Sequence, residues 1–188
     1  MSESDDVWDD LSDLVEGAAA AAQSIARSAF EAFPDQRFYA FVLSNHDELD
    51  SLGFHMNSLE SLEKITAGTG PEMADYYRWY WGEWRDFEYW GDQSGFDPVN
   101  DAIRRKVDAT IEDYVIPKAA GAAVEALMLQ TLKKLDADGL FGEGNLRSER
   151  LLYIGFYNSG RTINERSPEL LNPPAVWEAH KASFNAWL

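Results

Sequence analysis

Nine of the sixteen residues at 75–90, DYYRWYWGEWRDFEYW, are Trp, Tyr or Phe. So heavy a load limits the folds open to the chain, because every wide ring needs apolar neighbours and one buried face cannot supply them all. Read as a helix, the segment puts Tyr76, Tyr80, Trp84 and Phe87 on one face and leaves Trp79, Trp81 and Trp90 on others. Read as a strand, it spreads rings over both faces. Some rings must then meet a second layer of the fold or stand at the surface, where aromatic patches mark binding sites. The expectation is that Trp79 and Trp84 are buried and that at least one of Trp81 and Trp90 is accessible. Arg78 and Arg85 can stack on rings or pair with Glu83 and Asp86. A carboxylate such as Glu83, held among rings, is disfavoured in its charged form unless an arginine or a backbone amide compensates. Glu83 is therefore expected to accept hydrogen bonds from such groups, with general acid work as the alternative.

The remainder of the chain supplies the layers. Leu11, Leu14, Val15, Ala18, Ala22, Ile25, Ala29 and Phe33 recur at helical spacing until Pro34. RFYAFVLS (37–44) and SLGFHMNS (51–58) read as strands joined by NHDELD, and Ser58 starts a short helix over 59–65. Asp97 and Pro98 read as an N-cap and first-turn proline for a helix carrying Val99, Ile103, Val107, Ile111, Tyr114 and Val115. A second helix over 117–137 ends at Lys133, Lys134 and Gly139, with Pro117 separating the two. RLLYIGFYN (150–158) is a further strand. Ser167-Pro168 and Asn172-Pro173 each read as a helix start, and the last helix places Trp177, His180, Phe184 and Trp187 on one stripe. This order predicts an α+β fold, a small mostly antiparallel sheet packed against several helices. Residues 1–10 read as a flexible acidic N-terminus and 11–188 as one domain, a size that suits a single core.

Thirty-three acids against 16 bases leave a net charge of −17. That field repels phosphate backbones and argues against nucleic-acid binding. It attracts basic proteins and speeds their association, or else serves solubility alone. No apolar run is long enough to span a bilayer, and MSESDDVWDD is acidic where a secretory signal is basic and then apolar. The expected setting is cytoplasmic, without a membrane partner. With no cysteine there is no disulfide, thiolate metal site or cysteine nucleophile.

Other motifs are weaker. His46, Asp47, Glu48 and Asp50 match neither the Ca²⁺ loop nor the paired-histidine zinc spacing and read as a solvated turn. His55 and His180 read as packed, hydrogen-bonded histidines. GLFGEGN (139–145) lacks the features of a dinucleotide or phosphate loop, and no G-x-S-x-G elbow anchors a hydrolase triad. No cofactor is expected.

YYRWYWGEWRDFE resembles the motif Tyr-x-Trp, four residues, Trp and then an acidic residue of a bacterial family, domain of unknown function 4303. The resemblance places Trp79, Glu83, Trp84 and Glu88 on the motif and, with FYAFVLS, LDADGLFG and LNPP, covers about residues 38 to 174. Tyr80-Trp81-Gly82 departs from it, where small turn residues and proline belong. The resemblance implies a single α+β domain and no transferable catalytic residue; some members belong to bacterial toxin–immunity systems. The leading expectation is a non-enzymatic immunity-type protein that neutralises a cognate, basic toxin domain through an acidic, aromatic-containing surface. The candidate binding residues are Trp79, Trp81, Glu83, Trp84, Asp86, Glu88 and Trp90. The alternative is a small-molecule-binding or enzymatic domain with an aromatic-lined pocket around Glu83.

Overall fold

The computed structural model describes residues 11–70, 73–84, 86–87, 90–110, 116–157 and 162–188. Strands β1 (Phe38–Asn45) and β2 (Gly53–Ser58) form an antiparallel hairpin, and β3 (Leu151–Phe156) lies on the other side of β1, parallel to it. The sheet is therefore mixed, with one antiparallel and one parallel pair. The parallel pair follows from the connection: the long helical excursion between β2 and β3 returns the chain to the far side of β1 in the same direction.

Every residue of β1 and of β3 is buried. Helices cover both faces, which is why these strands read as continuous apolar runs. On one face, Phe41, Leu43, Phe54, Met56, Leu152 and Ile154 pack against α1 (Val15–Ala32), α4 (Asp97–Thr110) and α5 (Lys118–Ala137). The alanines of α1 permit close approach; a Cβ at Gly95 would lie 3.2 Å from that of Ala21. On the other face, Tyr39, Val42, Leu151 and Tyr153 meet Leu62 of α2 (Leu59–Thr66), Trp79 of α3 (Ala74–Trp79), Trp81, Trp84, and Trp177 and Phe184 of α8 (Pro174–Trp187). A bulge between Phe38 and Ala40 resets the alternation, so Phe38 and Phe41 share the first face while Tyr39 and Ala40 share the second.

The outer edges of the sheet are closed by side chains. Leu152 donates its N–H to Asn172 Oδ1 (2.9 Å) and accepts from Asn172 Nδ2 (2.7 Å). Ile154 exchanges the same pair of bonds with Ser167 Oγ, and Phe156 with Asn164. Asn164 and Ser167 belong to α7 (Thr162–Leu171), which lies along β3, and Asn172 directly follows it. Arg147, in α6 (Gly144–Ser148), is bonded to Asp136 and donates to Asn172 Oδ1 at 3.2 Å, fixing the way that amide faces. On the β2 side, Gln93 serves Phe54 and Asn100 serves Leu52 in the same two-bond manner.

Two helix starts differ from the sequence reading. Asp97 is already helical, because a 3-10 turn over Gln93–Phe96 runs straight into α4. Asp92 takes the capping role, accepting from Ser94 N at 2.9 Å, and this bond holds its carboxyl below the usual range. Pro168 lies inside α7 rather than at its start, since Ser167 is engaged at the edge of β3 and docking holds the helix through the proline. Ser58 does cap α2, accepting from Ser61 N at 3.0 Å. Gly139, at φ +79°, ends α5 with Leu140 N donating to Leu135 O. The flexible stretch expected at 1–10, and Ile111, Tyr114 and Val115, lie outside the described residues.

Candidate functional site

The aromatic segment is not one element. Helix α3 stops at Trp79, where Tyr80 N still bonds Tyr76 O, and a 3-10 turn over Trp81–Glu83 follows. Glu83 N to Tyr80 O, Trp84 N to Trp81 O and Phe87 N to Trp84 O continue as successive turns. These changes of direction share the rings between two cores. Trp79, Trp81 and Trp84 lie on the second face of the sheet, whereas Phe87 and Trp90 pack with Phe33 on the first. No single face has to absorb the set.

Tyr153 is the hub of the inner rings. Its ring meets Trp79, Trp81, Trp84 and Phe184 at centroid distances of 6.5, 6.1, 6.4 and 5.1 Å, edge to face. Its hydroxyl donates to Trp79 O, and Tyr39 Oη donates to Arg78 O at 2.7 Å. Burial pushes both phenols up. Trp79 Nε1 donates to Ser183 Oγ (2.8 Å), which donates to Asp75, and Trp84 Nε1 donates to Tyr77 O (3.2 Å). Trp81 lies against the backbone of β3: a Cβ on Gly155 would stand 2.1 Å from its ring.

Trp79 and Trp84 are buried, as expected. Trp81 is 2% exposed and cannot be a surface anchor in this conformation, so the accessible ring of the pair Trp81 and Trp90 is Trp90, itself half-buried. The reason is Gly155, which leaves on β3 the space that Trp81 fills. Glu83 is also placed differently from expectation. It is half-exposed, and its Oε1 accepts from Tyr76 Oη at 3.4 Å instead of from an arginine. Arg78 instead lies over the rings of Tyr39 and Trp79, at 5.6 and 5.8 Å. Asp86 is exposed and paired with Lys64 at 3.1 Å. Glu88 and Arg85 lie outside the described residues.

The half-exposed rings gather elsewhere. Tyr76 and Tyr80 of the segment meet Trp187 of α8 around a recess of about 410 Å³, lined also by Trp81, Phe156, Asn164 and Leu188. Sequence reasoning noticed Trp187 only as part of a helix stripe, and nothing in the spacing joins it to Tyr80; that pairing depends on how α8 docks. A smaller cavity, about 120 Å³, opens at the far end of the hairpin between Ser44, His46, Ser51, His55, Gln93 and Tyr157. Buried His55 shares a 2.7 Å hydrogen bond with Ser44 Oγ, the interior role foreseen for it. His180 meets Trp79 edge-on at 5.5 Å; burial, and then Arg78, lower its pKa. Among the described residues no group of three His, Cys, Asp or Glu side chains is arranged to hold a metal ion. No helix among them is long and apolar enough to cross a membrane.

Residues 19–173 match the family described as Domain of unknown function (DUF4303). No curated protein and no solved structure gives a match to the chain.

Proposed function

The chain belongs to the DUF4303 family, and from that premise we propose that it is an immunity-type binding protein that neutralises a cognate basic toxin domain in the cytoplasm. The observation that carries this reading is the charge excess of 17 carboxylates, set on a surface where the bases are few and several are already engaged. Lys64, Arg104, Lys134 and Lys181 each pair with a neighbouring acid. Asp35, Asp92, Asp97, Asp108, Glu165 and Glu169 are exposed to solvent. Such a surface steers a basic partner into encounter and would cover a cationic active site once bound.

The test begins with the neighbouring genes, one of which is expected to encode a toxin with a basic C-terminal domain, and measures association with that domain. Its on-rate is expected to fall steeply between low and physiological salt, with a smaller change in off-rate. A salt-insensitive on-rate, or toxicity unrelieved by co-expression, removes the reading.

A further inference from the structure

The recess between the 81–83 turn and the end of α8 has chemistry of its own. Its walls combine ring faces with a comparable share of polar surface. Both polar atoms of Asn164 are committed to the backbone of Phe156, at 3.1 and 3.2 Å. Tyr76 and Tyr80 have ring centroids 5.2 Å apart, Tyr80 and Trp81 5.7 Å, Trp81 and Trp187 6.2 Å, and Tyr80 and Trp187 6.4 Å. The accessible rings are those of Tyr76, Tyr80 and Trp187, since Trp81 is almost wholly buried beneath them. Gly82 helps to set this arrangement: a Cβ there would stand 3.1 Å from the ring of Tyr80, so the missing side chain lets that ring lie across the turn.

A carboxylate stands beside these rings. Tyr76 Oη donates to Glu83 Oε1, and a phenol that donates to an anion gains electron density in its ring. The faces of such rings attract cations and repel anions. At about 410 Å³ the opening accepts a long side chain, with room for its aliphatic stem along Trp187 and Leu188.

We propose that this recess binds a cationic side chain, an arginine or a lysine, presented by the partner. The proposal rests on the binding reading above and names the chemistry by which a basic partner is held once the diffuse acidic field has drawn it in. Aromatic anchors of this kind are where binding energy concentrates once a partner covers them.

The experiment uses the whole chain with N-acetyl-arginine amide as the probe and N-acetyl-citrulline amide, its uncharged counterpart, as the control. Trp81 Nε1 is buried and has no acceptor among the described residues, so its indole N–H signal is a clean reporter, alongside that of Trp187. The arginine probe is expected to shift both signals saturably, while citrulline shifts them weakly. Tyr80→Leu and Glu83→Gln should each weaken the arginine probe by several-fold to about tenfold. Both replaced side chains are half-exposed, and a thermal melt confirms that the variants are folded. Equal shifts from the two probes, unmoved indole signals, or undiminished affinity in Tyr80→Leu would overturn the proposal. Toxin protection is scored separately. If Tyr80→Leu still binds and neutralises the toxin domain with wild-type affinity, the recess is not the anchor although the binding reading stands. If wild type fails to neutralise the toxin domain, it is the binding reading that falls, and the arginine titration still decides the recess.

Discussion

At the scale of single residues, the contact between Gly155 and Trp81 decides where the largest ring of the segment goes. Any side chain at 155 collides with the indole, so Gly155→Ala forces either the strand or the ring to move. Overpacking of this kind costs about 1–3 kcal/mol. A drop in urea midpoint with an unchanged m-value is the expected result, and a wild-type midpoint would mean that Trp81 can be seated elsewhere. Glu83 gives the opposite expectation. It is half-exposed with one long hydrogen bond, so Glu83→Gln and Glu83→Ala should each change stability by less than about 0.5 kcal/mol. The motif carrying Trp79 and Trp84 was legible as buried. The fate of Trp81 was not, because the glycine that admits it lies on β3, far away in sequence. Tyr80 and Trp81 line the recess that Trp187 completes.

At the scale of elements, periodicity and punctuation located α1, β1, β3, the start of α2 and the end of α5, since each is set by neighbours in sequence. The misplaced starts of α4 and α7 have a different origin. Ser167, which reads as a helix start, answers to β3 instead, and the 3-10 turn that runs into α4 is held at Gln93 by Phe54 of β2. The parallel placement of β3 was likewise invisible, because it depends on the return path of the helices. The edge bonds invite a direct test. Asn172→Leu strands the N–H and C=O of Leu152, at a cost of about 1–3 kcal/mol or more. Hydrogen exchange at Leu152 should accelerate in this variant, while exchange at Val42, in the central strand, should follow only the global loss of stability. Unchanged protection at Leu152 would show that the amide contributes nothing to the edge.

At the scale of the whole molecule, acid tolerance should carry the mark of His180. Burial and Arg78 disfavour its charged form in the fold, so its folded pKa lies below its value in the unfolded chain, about 6.5. The unfolded chain then binds more protons in that range, and the stability linked to this group is complete above about pH 6.5 and lost as the pH falls toward the folded value. Replacing His180 with Leu should flatten stability against pH between about 5 and 6.5, as read from urea midpoints. An unchanged slope would assign the acid response to other groups. The closed sheet edges reach further than stability. A row of open N–H and C=O groups is a template on which another chain can lay a strand, whether as a ligand or as the first step of a fibril. Here Leu52 and Phe54 on one side, and Leu152, Ile154 and Phe156 on the other, already have their complement from helix-borne amides and a hydroxyl. At these positions the protein offers no vacant rung, so a partner or a second copy that docks there must read side chains rather than extend the ladder.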